Sequence, residues 1–275
     1  MKRRAGYFDI VRKEKISSSI YKFVFHSPEI TSNTAPGQFV QIRTSDDYFP
    51  LWPRPFSVYD TDKERGEFAV IFKVFGCGTS QLADYSEGDK IHILGPLGNG
   101  FAPPGRRGKI IMAAGGVGLP PLYLLAKEAV GNGFSPDNIT FISGARTRED
   151  HFDDGRLAAL GVDLKICTDD GSYGARGTVV DLLKMEIREN IGQTIYACGP
   201  SAMLEKIDLA LTYKNIPGFL SLEALMPCGI GICSGCAVKT IPSNDRGPTD
   251  DNRDYHLKRV CVDGPVFKAG EVIWK

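Results

Sequence analysis

Histidine is scarce in this chain. Only His26, His92, His151 and His256 occur among 275 residues, and none stands in a nucleophile, base and orienter pattern, so triad hydrolysis has no candidate. An excess of charge of one sign is lacking too. The 33 basic and 33 acidic residues cancel, which leaves no electrostatic footprint for nucleic acid, and no basic stripe is interleaved with aromatics. Long apolar runs are missing: Leu119 to Ala126 is among the longest, falls well short of a membrane span and contains Pro120 and Pro121. The start, MKRRAGYFDI, offers no apolar core of an export signal. A soluble chain of the cytoplasm is expected, with neither membrane nor nucleic acid among its partners.

Cysteine is present and patterned. Cys228, Cys233 and Cys236 form CxxxxCxxC within MPCGIGICSGC, and Cys261 follows in KRVCVDGPVF. That is the plant-type spacing of a 2Fe-2S cluster, in which two irons need four converging thiolates and a short loop must wrap closely around them. Gly229, Gly231 and Gly235 are expected to supply positive φ and to let backbone N–H groups reach the sulfurs. Zinc is the competing metal, but its structural sites usually offer two CxxC knuckles and here there is one. Disulfides fit poorly with seven cysteines, an odd number, and no export signal.

The first hundred residues read as short strands. Tyr21, Phe23 and Phe25 alternate with Lys22 and Val24, then APGQFVQIR, RGEFAVIFKV and KIHILGPLG follow with turns between, which suggests a small antiparallel barrel. LWPRPFSVYD within it holds Arg54, Pro55, Phe56 and Ser57, a cation, a stiffened backbone edge and a hydroxyl suited to a planar anionic ligand or, equally, to a plain edge strand. In FKVFGCGTSQL, Gly76 and Gly78 make a tight turn and Thr79 is expected to N-cap a helix from Ser80, offering N–H groups to a phosphate. Near Gly105 to Gly108 the texture changes to strands alternating with helices: KIIMAA then LPPLYLLAKEAV, NITFISGA then HFDDGRLAAL, VDLKICT then TVVDLLKMEI, QTIYACG then PSAMLEKIDLALTY. This order implies a parallel sheet with crossover helices. Its first strand runs into Gly115, Gly116 and Gly118, a GGVG that departs from GxGxxG but keeps a glycine turn aimed at a helix N-terminus. The last strand ends at Cys198, Gly199 and Pro200, where a ligand in the crevice would be met. Three domains are expected: a β-barrel over 1–107, an α/β domain over 108–217 and a cluster-binding segment over 218–275. Residues 241–253, IPSNDRGPTDDNR, read as an exposed polar loop; Asp245, Asp250, Asp251 and Asp254 lack EF-hand spacing.

Taken together, RPFS, the GCGT turn, GGVG with its prolines, and CGP, in this order from Tyr7 to about Pro217, resemble the ferredoxin reductase superfamily. The resemblance implies that Arg54, Pro55, Phe56, Ser57, Ile71, Phe72, Lys73, Gly78 and Thr79 hold FAD. It also implies that Gly115, Gly116, Gly118, Cys198, Gly199 and Pro200 meet NAD. The segment SLEALMPCGIGICSGC with YHLKRVCVDGPVF is similar to the electron-transfer subunits of class 1B dihydroorotate dehydrogenases, whose four cysteines match Cys228, Cys233, Cys236 and Cys261; the link from Cys236 to Cys261 is longer here than in many members. Membership would imply an FMN-binding catalytic partner in a heterotetramer of two plus two, electrons passing from it through the 2Fe-2S cluster and FAD to NAD+, and a place in pyrimidine (UMP) biosynthesis. Glu223 is expected to border the flavin or order the cluster loop. Ile230 and Ile232 would shield the cluster, face a partner or simply pack. Arg146 and Arg148 could approach the 2′-phosphate that distinguishes NADP, or lie on the surface. Rivals are an NAD(P)H:ferredoxin oxidoreductase, a transhydrogenase or sulfide-dehydrogenase subunit on the same scaffold, and a redox-sensing or zinc module without flavin.

Overall fold

The computed structural model describes residues 3–45, 47–105, 108–187, 192–242 and 254–274. The expected barrel is closed. Its strands are β1 (Arg4–Lys15), β2 (Ile20–His26), β3 (Phe39–Ile42), β4 (Arg54–Asp62), β5 (Glu67–Lys73) and β6 (Lys90–Leu97), with helices α1 (Pro28–Asn33) after β2 and α2 (Cys77–Asp84) after β5. The strand order is β1-β2-β5-β4-β3-β6, and pairing of β6 with β1 removes both sheet edges. Phe23, Phe25, Phe68 and Phe72 alternate inward and fill it.

The second half builds β7 (Lys109–Gly115), α3 (Leu119–Gly131), β8 (Ile139–Ala145), α4 (Asp154–Ala159), β9 (Asp163–Thr168), β10 (Ala175–Arg176), α5 (Val179–Glu186), β11 (Gln193–Cys198), α6 (Ser201–Tyr213), β12 (Gly218–Ser221), β13 (Ala237–Thr240), β14 (His256–Arg259) and β15 (Val266–Lys268). Seven of these strands form one sheet in the order β10-β9-β8-β7-β11-β12-β15, parallel except for β15. From β7 the chain winds outward through β8 and β9 and then returns to place β11 on the other side of β7. The gap between β7 and β11 is therefore the topological switch point, where open sheets of this kind bind ligands. Both faces are covered, as a parallel sheet requires. Ile111, Ala113, Ile195 and Ala197 pack with α5 and α6, while Ile110, Met112, Ala114 and Tyr196 pack with α3.

One expectation is corrected here. The helix expected over HFDDGRLAAL is only α4, because Asp153 is held at φ 65 and the helix cannot extend through it. The cluster-bearing segment is rooted in the sheet: β12 and β15, at its two ends, extend the seven-stranded sheet, with Ser221 paired to Val266. Strands of four and three residues carry too little pattern to be read from sequence. Of the polar loop over 241–253, residues 243–253 lie outside the described residues, including Asp245, Asp250 and Asp251. Among the described residues no helix is long and apolar enough to cross a membrane.

Candidate cofactor sites

The RPFS strand and the GCGT turn meet through Arg54. A Cβ on Gly78 would lie 3.1 Å from its Nε, so the turn packs closely on the guanidinium, whose Nη1 donates to Trp52 O at 2.6 Å. Thr79 does not N-cap the helix. Helix α2 begins at Cys77 with Gly76 as N-cap, and Thr79, at its third position, accepts from Phe75 N (2.8 Å) and Gly76 N (3.2 Å). The hydroxyl thus takes the reach-back role of a capping box, which satisfies donors on the entering chain and leaves the helix-start N–H groups for an anion.

Beside this turn lies a cavity of about 420 Å³, lined by Pro55, Phe56, Ser57, Ile71, Phe72 and Lys73 from the barrel. Its other walls are Val117 and Pro120 around the start of α3, Cys198, and Ser221, Leu222, Glu223, Ala224 and Met226 at the head of the cluster segment. Six of the nine residues expected to hold FAD line it, and Arg54, Gly78 and Thr79 form the adjoining turn. An apolar slot with a few polar edges next to an anion-binding helix start suits a flavin and its phosphates.

A second cavity, of about 570 Å³, lies at the carboxyl ends of the parallel strands and is lined by Gly115, Gly116, Val117, Ala145, Arg146, Asp150, Asp169, Thr178, Pro200 and Lys206. Gly116 sits at φ +53 with open space around it. Gly118 lines neither cavity, because it is the packing point between the turn and CGP: a Cβ there would fall 2.2 Å from Cys198 O and 2.7 Å from Gly199 N. Gly199 in turn packs on Gly115, its would-be Cβ 3.1 Å from Gly115 Cα. A nucleotide-sized crevice at the switch point, floored by glycines, suits NAD. Lys73, Phe75, Val117 and Glu223 line both cavities.

Sequence reasoning missed Phe75, Asp150, Asp169, Thr178 and Lys206. For Thr178 a signal existed: Thr178 and Asp181 form a capping box at the start of α5. Asp150 and Asp169 come from separate loops that only the fold brings together. The two arginines divide. Arg146 lines the second cavity, whereas the Arg148 guanidinium lies over the Tyr173 ring at 5.1 Å.

Cys198 is buried, and burial, with the nearby Glu223 charge adding to it, pushes its thiol up to about 12. It stays protonated at neutral pH and acts as a small, close-packed wall. The Glu223 carboxyl is crowded by protein yet open to both cavities, and desolvation holds it above the usual carboxylate range.

The four cysteines of the spacing meet as two pairs. Strands β13 and β14 pair as a hairpin, Ala237 opposite Arg259, which delivers Cys261 to Cys236: their sulfurs are 3.3 Å apart, and Cys261 N donates to Cys236 Sγ at 3.5 Å. The Cys228 sulfur faces Cys233. Burial pushes it up, but the N–H groups of Cys233, Ile230 and Ile232 aim at it and bring it down to about 6. Cys261 is pushed up to about 12 by burial and by the crowding sulfurs of Cys236 and Cys228. Among the described residues no three His, Cys, Asp or Glu side chains gather as a single ion would need. Two thiol pairs with N–H groups aimed at sulfur suit a two-iron cluster better than one zinc.

The left-handed residues of this loop are Gly229, Gly231 and Ser234. Gly235 does not take positive φ but does reach sulfur as expected: it makes room, its would-be Cβ 3.2 Å from Pro227 Cδ, and its N–H donates to Cys233 Sγ at 3.4 Å. The loop is held to the barrel where Gln41 Nε2 donates to Met226 O at 2.6 Å. Ile230 is half-buried against the core, whereas Ile232 is 79% exposed beside the exposed Cys233.

Family comparisons match these regions in order. Residues 7–101 match the oxidoreductase FAD-binding domain, 112–208 the oxidoreductase NAD-binding domain, and 223–273 the iron-sulfur cluster binding domain of dihydroorotate dehydrogenase B. The structure is similar to one solved in work on flavin-based electron bifurcation by an NADH-dependent reduced ferredoxin-NADP oxidoreductase, with a TM-score of 0.82 and 33% identity over 97% of this chain and 90% of that one. The ferredoxin reductase in carbazole 1,9a-dioxygenase shares the fold at 18% identity, with a TM-score of 0.67, over 78% of this chain and 67% of that one. Dihydroorotate dehydrogenase B (NAD(+)) electron transfer subunits are 35% identical in Desulforamulus reducens, over 94% of this chain and 95% of that protein, and 37% identical in Geobacillus sp. strain WCH70, over 96% of each. With three domain matches in series and this identity along nearly its whole length, the chain belongs to the family of dihydroorotate dehydrogenase B (NAD(+)) electron transfer subunits.

Proposed function

We propose that this chain passes electrons between an FMN-bearing dihydroorotate dehydrogenase catalytic subunit and NAD+, in a two-plus-two assembly of the cytoplasm that serves pyrimidine biosynthesis. One observation carries the reading. The cavity bounded by the RPFS strand is also bounded by the start of α3, by Cys198 and by Met226 of the cluster segment, so a flavin there would border both other sites. When bound, FAD supplies the conversion between a hydride, as nicotinamide takes it, and single electrons, as a 2Fe-2S cluster takes them.

The chain's own residues bind, orient and shield. Arg54 to Ser57 and Ile71 to Lys73 would hold the flavin ring system, and Gly78 and Thr79 its phosphates. Gly115, Gly116 and Pro200 would seat the nicotinamide nucleotide, with Gly118 and Gly199 fixing their backbone, while Cys198, which was expected there, walls the flavin cavity instead. Glu223, open to both cavities, is the group placed to hold a proton at their junction. Cys228, Cys233, Cys236 and Cys261 would ligate the cluster, and the exposed Cys233 and Ile232 mark the side from which a partner would exchange electrons. The regions 1–107, 108–217 and 218–275 serve as the FAD, NAD and cluster units, the third rooted in the sheet of the second. Seven unpaired thiols accord with a reducing compartment.

The test is co-expression with the FMN subunit of the same organism. Copurification in equal amounts, with orotate-forming NAD+ reduction that requires both chains, is the expected result. The 33% identity to the ferredoxin-NADP oxidoreductase structure favours a second reading, a transhydrogenase-type subunit. Electron exchange with ferredoxin and NADP+, without orotate formation, would establish that reading instead.

A further inference from the structure

Away from both cavities, the barrel and the α/β domain share a polar centre that the cofactor assignments do not use. Asp60, near the end of β4, accepts from Lys127 of α3 at 2.5 Å and from Arg156 of α4 at 2.5 Å. Its side chain is 17% exposed. Lys127 also donates to Thr61 O at 3.0 Å. Beneath these groups Tyr59 stacks on Tyr123 of α3, ring centroids 4.7 Å apart, and the Arg156 guanidinium lies over both rings at 5.1 and 5.0 Å. Leu124 of α3 is buried in the barrel core.

The apolar part of this contact joins the domains but gives little direction. Stacked rings and aliphatic surfaces can slide with little loss. One carboxylate gripping two cations from two different helices fixes a position, since any slide lengthens at least one charge-assisted bond. The two elements pinned here are those that begin at the cofactor sites. Strand β4 starts with Arg54 to Ser57, and Asp60 lies about 10 Å beyond Ser57 at strand rise. Helix α3 starts at the GGVG turn, and Lys127 lies about 14 Å beyond Gly118 at helix rise. Helix α3 is continuous over that length, and β4, although irregular between Val58 and Asp60, stays paired with β3 and β5 on either side, so a displacement at the pin is carried to the cavities.

We propose that Asp60, with Lys127 and Arg156, is a positioning residue for hydride exchange: it sets the register between the strand that holds the flavin and the glycine turn that holds the nicotinamide. The inference rests on assigning FAD and NAD to the two cavities. Its consequence is a defect in alignment and not in binding, because each nucleotide's own contacts stay whole.

The test uses the full chain with FAD and cluster, as Asp60→Asn, Lys127→Met and Asp60→Glu. NAD+ affinity is read from the perturbation of flavin absorbance, and flavin reduction by saturating NADH from stopped-flow traces. With Asp60→Asn, flavin content should hold and the NAD+ dissociation constant should stay within about threefold, while the reduction rate falls about 10- to 100-fold, the cost of a displacement near 1 Å. Asp60→Glu should recover part of the rate. Lys127→Met, at a side chain 38% exposed, guards against a variant that fails to fold, and should show a smaller loss with flavin retained. A rate within about twofold of wild type in whichever of these two folds, or a rate lost only in proportion to lost flavin, overturns the proposal. A wild-type protein that holds no FAD, or is not reduced by NADH, overturns the cofactor assignment instead.

Discussion

Replacing Gly118 by alanine tests the nicotinamide turn where it is tightest. The added Cβ would lie 2.2 Å from Cys198 O, 2.4 Å from Cys198 C and 2.7 Å from Gly199 N, all backbone atoms that no rotamer change can move. To reach ordinary contact the turn must retreat from CGP by more than 1 Å, which the same distances require. Overpacking of this kind costs about 1–3 kcal/mol, and a shift near 1 Å at a binding turn costs up to about a hundredfold in rate. The unfolding midpoint should fall by several degrees, and the NAD+ dissociation constant should rise about tenfold or more. Gly131→Ala, at the far end of α3, is the control. It adds the same methyl into open space outside both cavities, so it should leave the NAD+ dissociation constant unchanged. Isothermal titration with NAD+ and thermal unfolding of the flavin-loaded protein read both quantities. Equal affinity for wild type and Gly118→Ala would refute the packing of GGVG on CGP, and with it the assignment of the second cavity.

Removing any of Cys228, Cys233, Cys236 or Cys261 as serine should abolish or greatly lower iron and labile sulfide, while Cys77→Ser, at an exposed cysteine outside the loop, should leave both unchanged; iron assays on anaerobically purified protein decide. Thr79→Val keeps the shape but loses the acceptor for Phe75 N and Gly76 N, so FAD affinity should fall about tenfold by equilibrium dialysis, the worth of about one to two hydrogen bonds. For Glu223 the sign follows from desolvation by the protein crowded around it. A carboxyl raised above its unfolded range destabilises the fold increasingly as pH climbs from the unfolded towards the folded pKa. Glu223→Gln should therefore raise the unfolding midpoint at pH 8 and change it little at pH 4; an equal gain at both would contradict the assignment.

What could be read in advance were features whose chemistry is local. The cysteine spacing, the RPFS strand, the two glycine turns and the alternation of strands with helices each state their own purpose within about ten residues. Even there, details of register escaped. Thr79 was expected one helical turn too early in the capping scheme, because a Gly-Cys-Gly start lets Gly76 cap without a side chain. Gly235 was expected at positive φ, but Ser234 takes that conformation and leaves Gly235 to make room. The remainder depended on distance in the chain. Asp60, Lys127 and Arg156 lie on three elements whose individual patterns show ordinary surface charges, and Asp150 with Asp169 reach one cavity from different loops. No periodicity encodes such meetings.

The pairing of Ser221 with Val266 has a consequence for damage. The iron-binding loop leaves the sheet at one strand and re-enters at its immediate neighbour, and Leu222 N donates to Pro265 O at 2.9 Å across the gap. Its entry and exit are closed by backbone hydrogen bonds that involve none of the four cysteines, so loss of the iron would leave the sheet behind it paired. A chain stripped of iron would then persist as a folded protein with both nucleotide cavities in place but no route for single electrons between them and the outside.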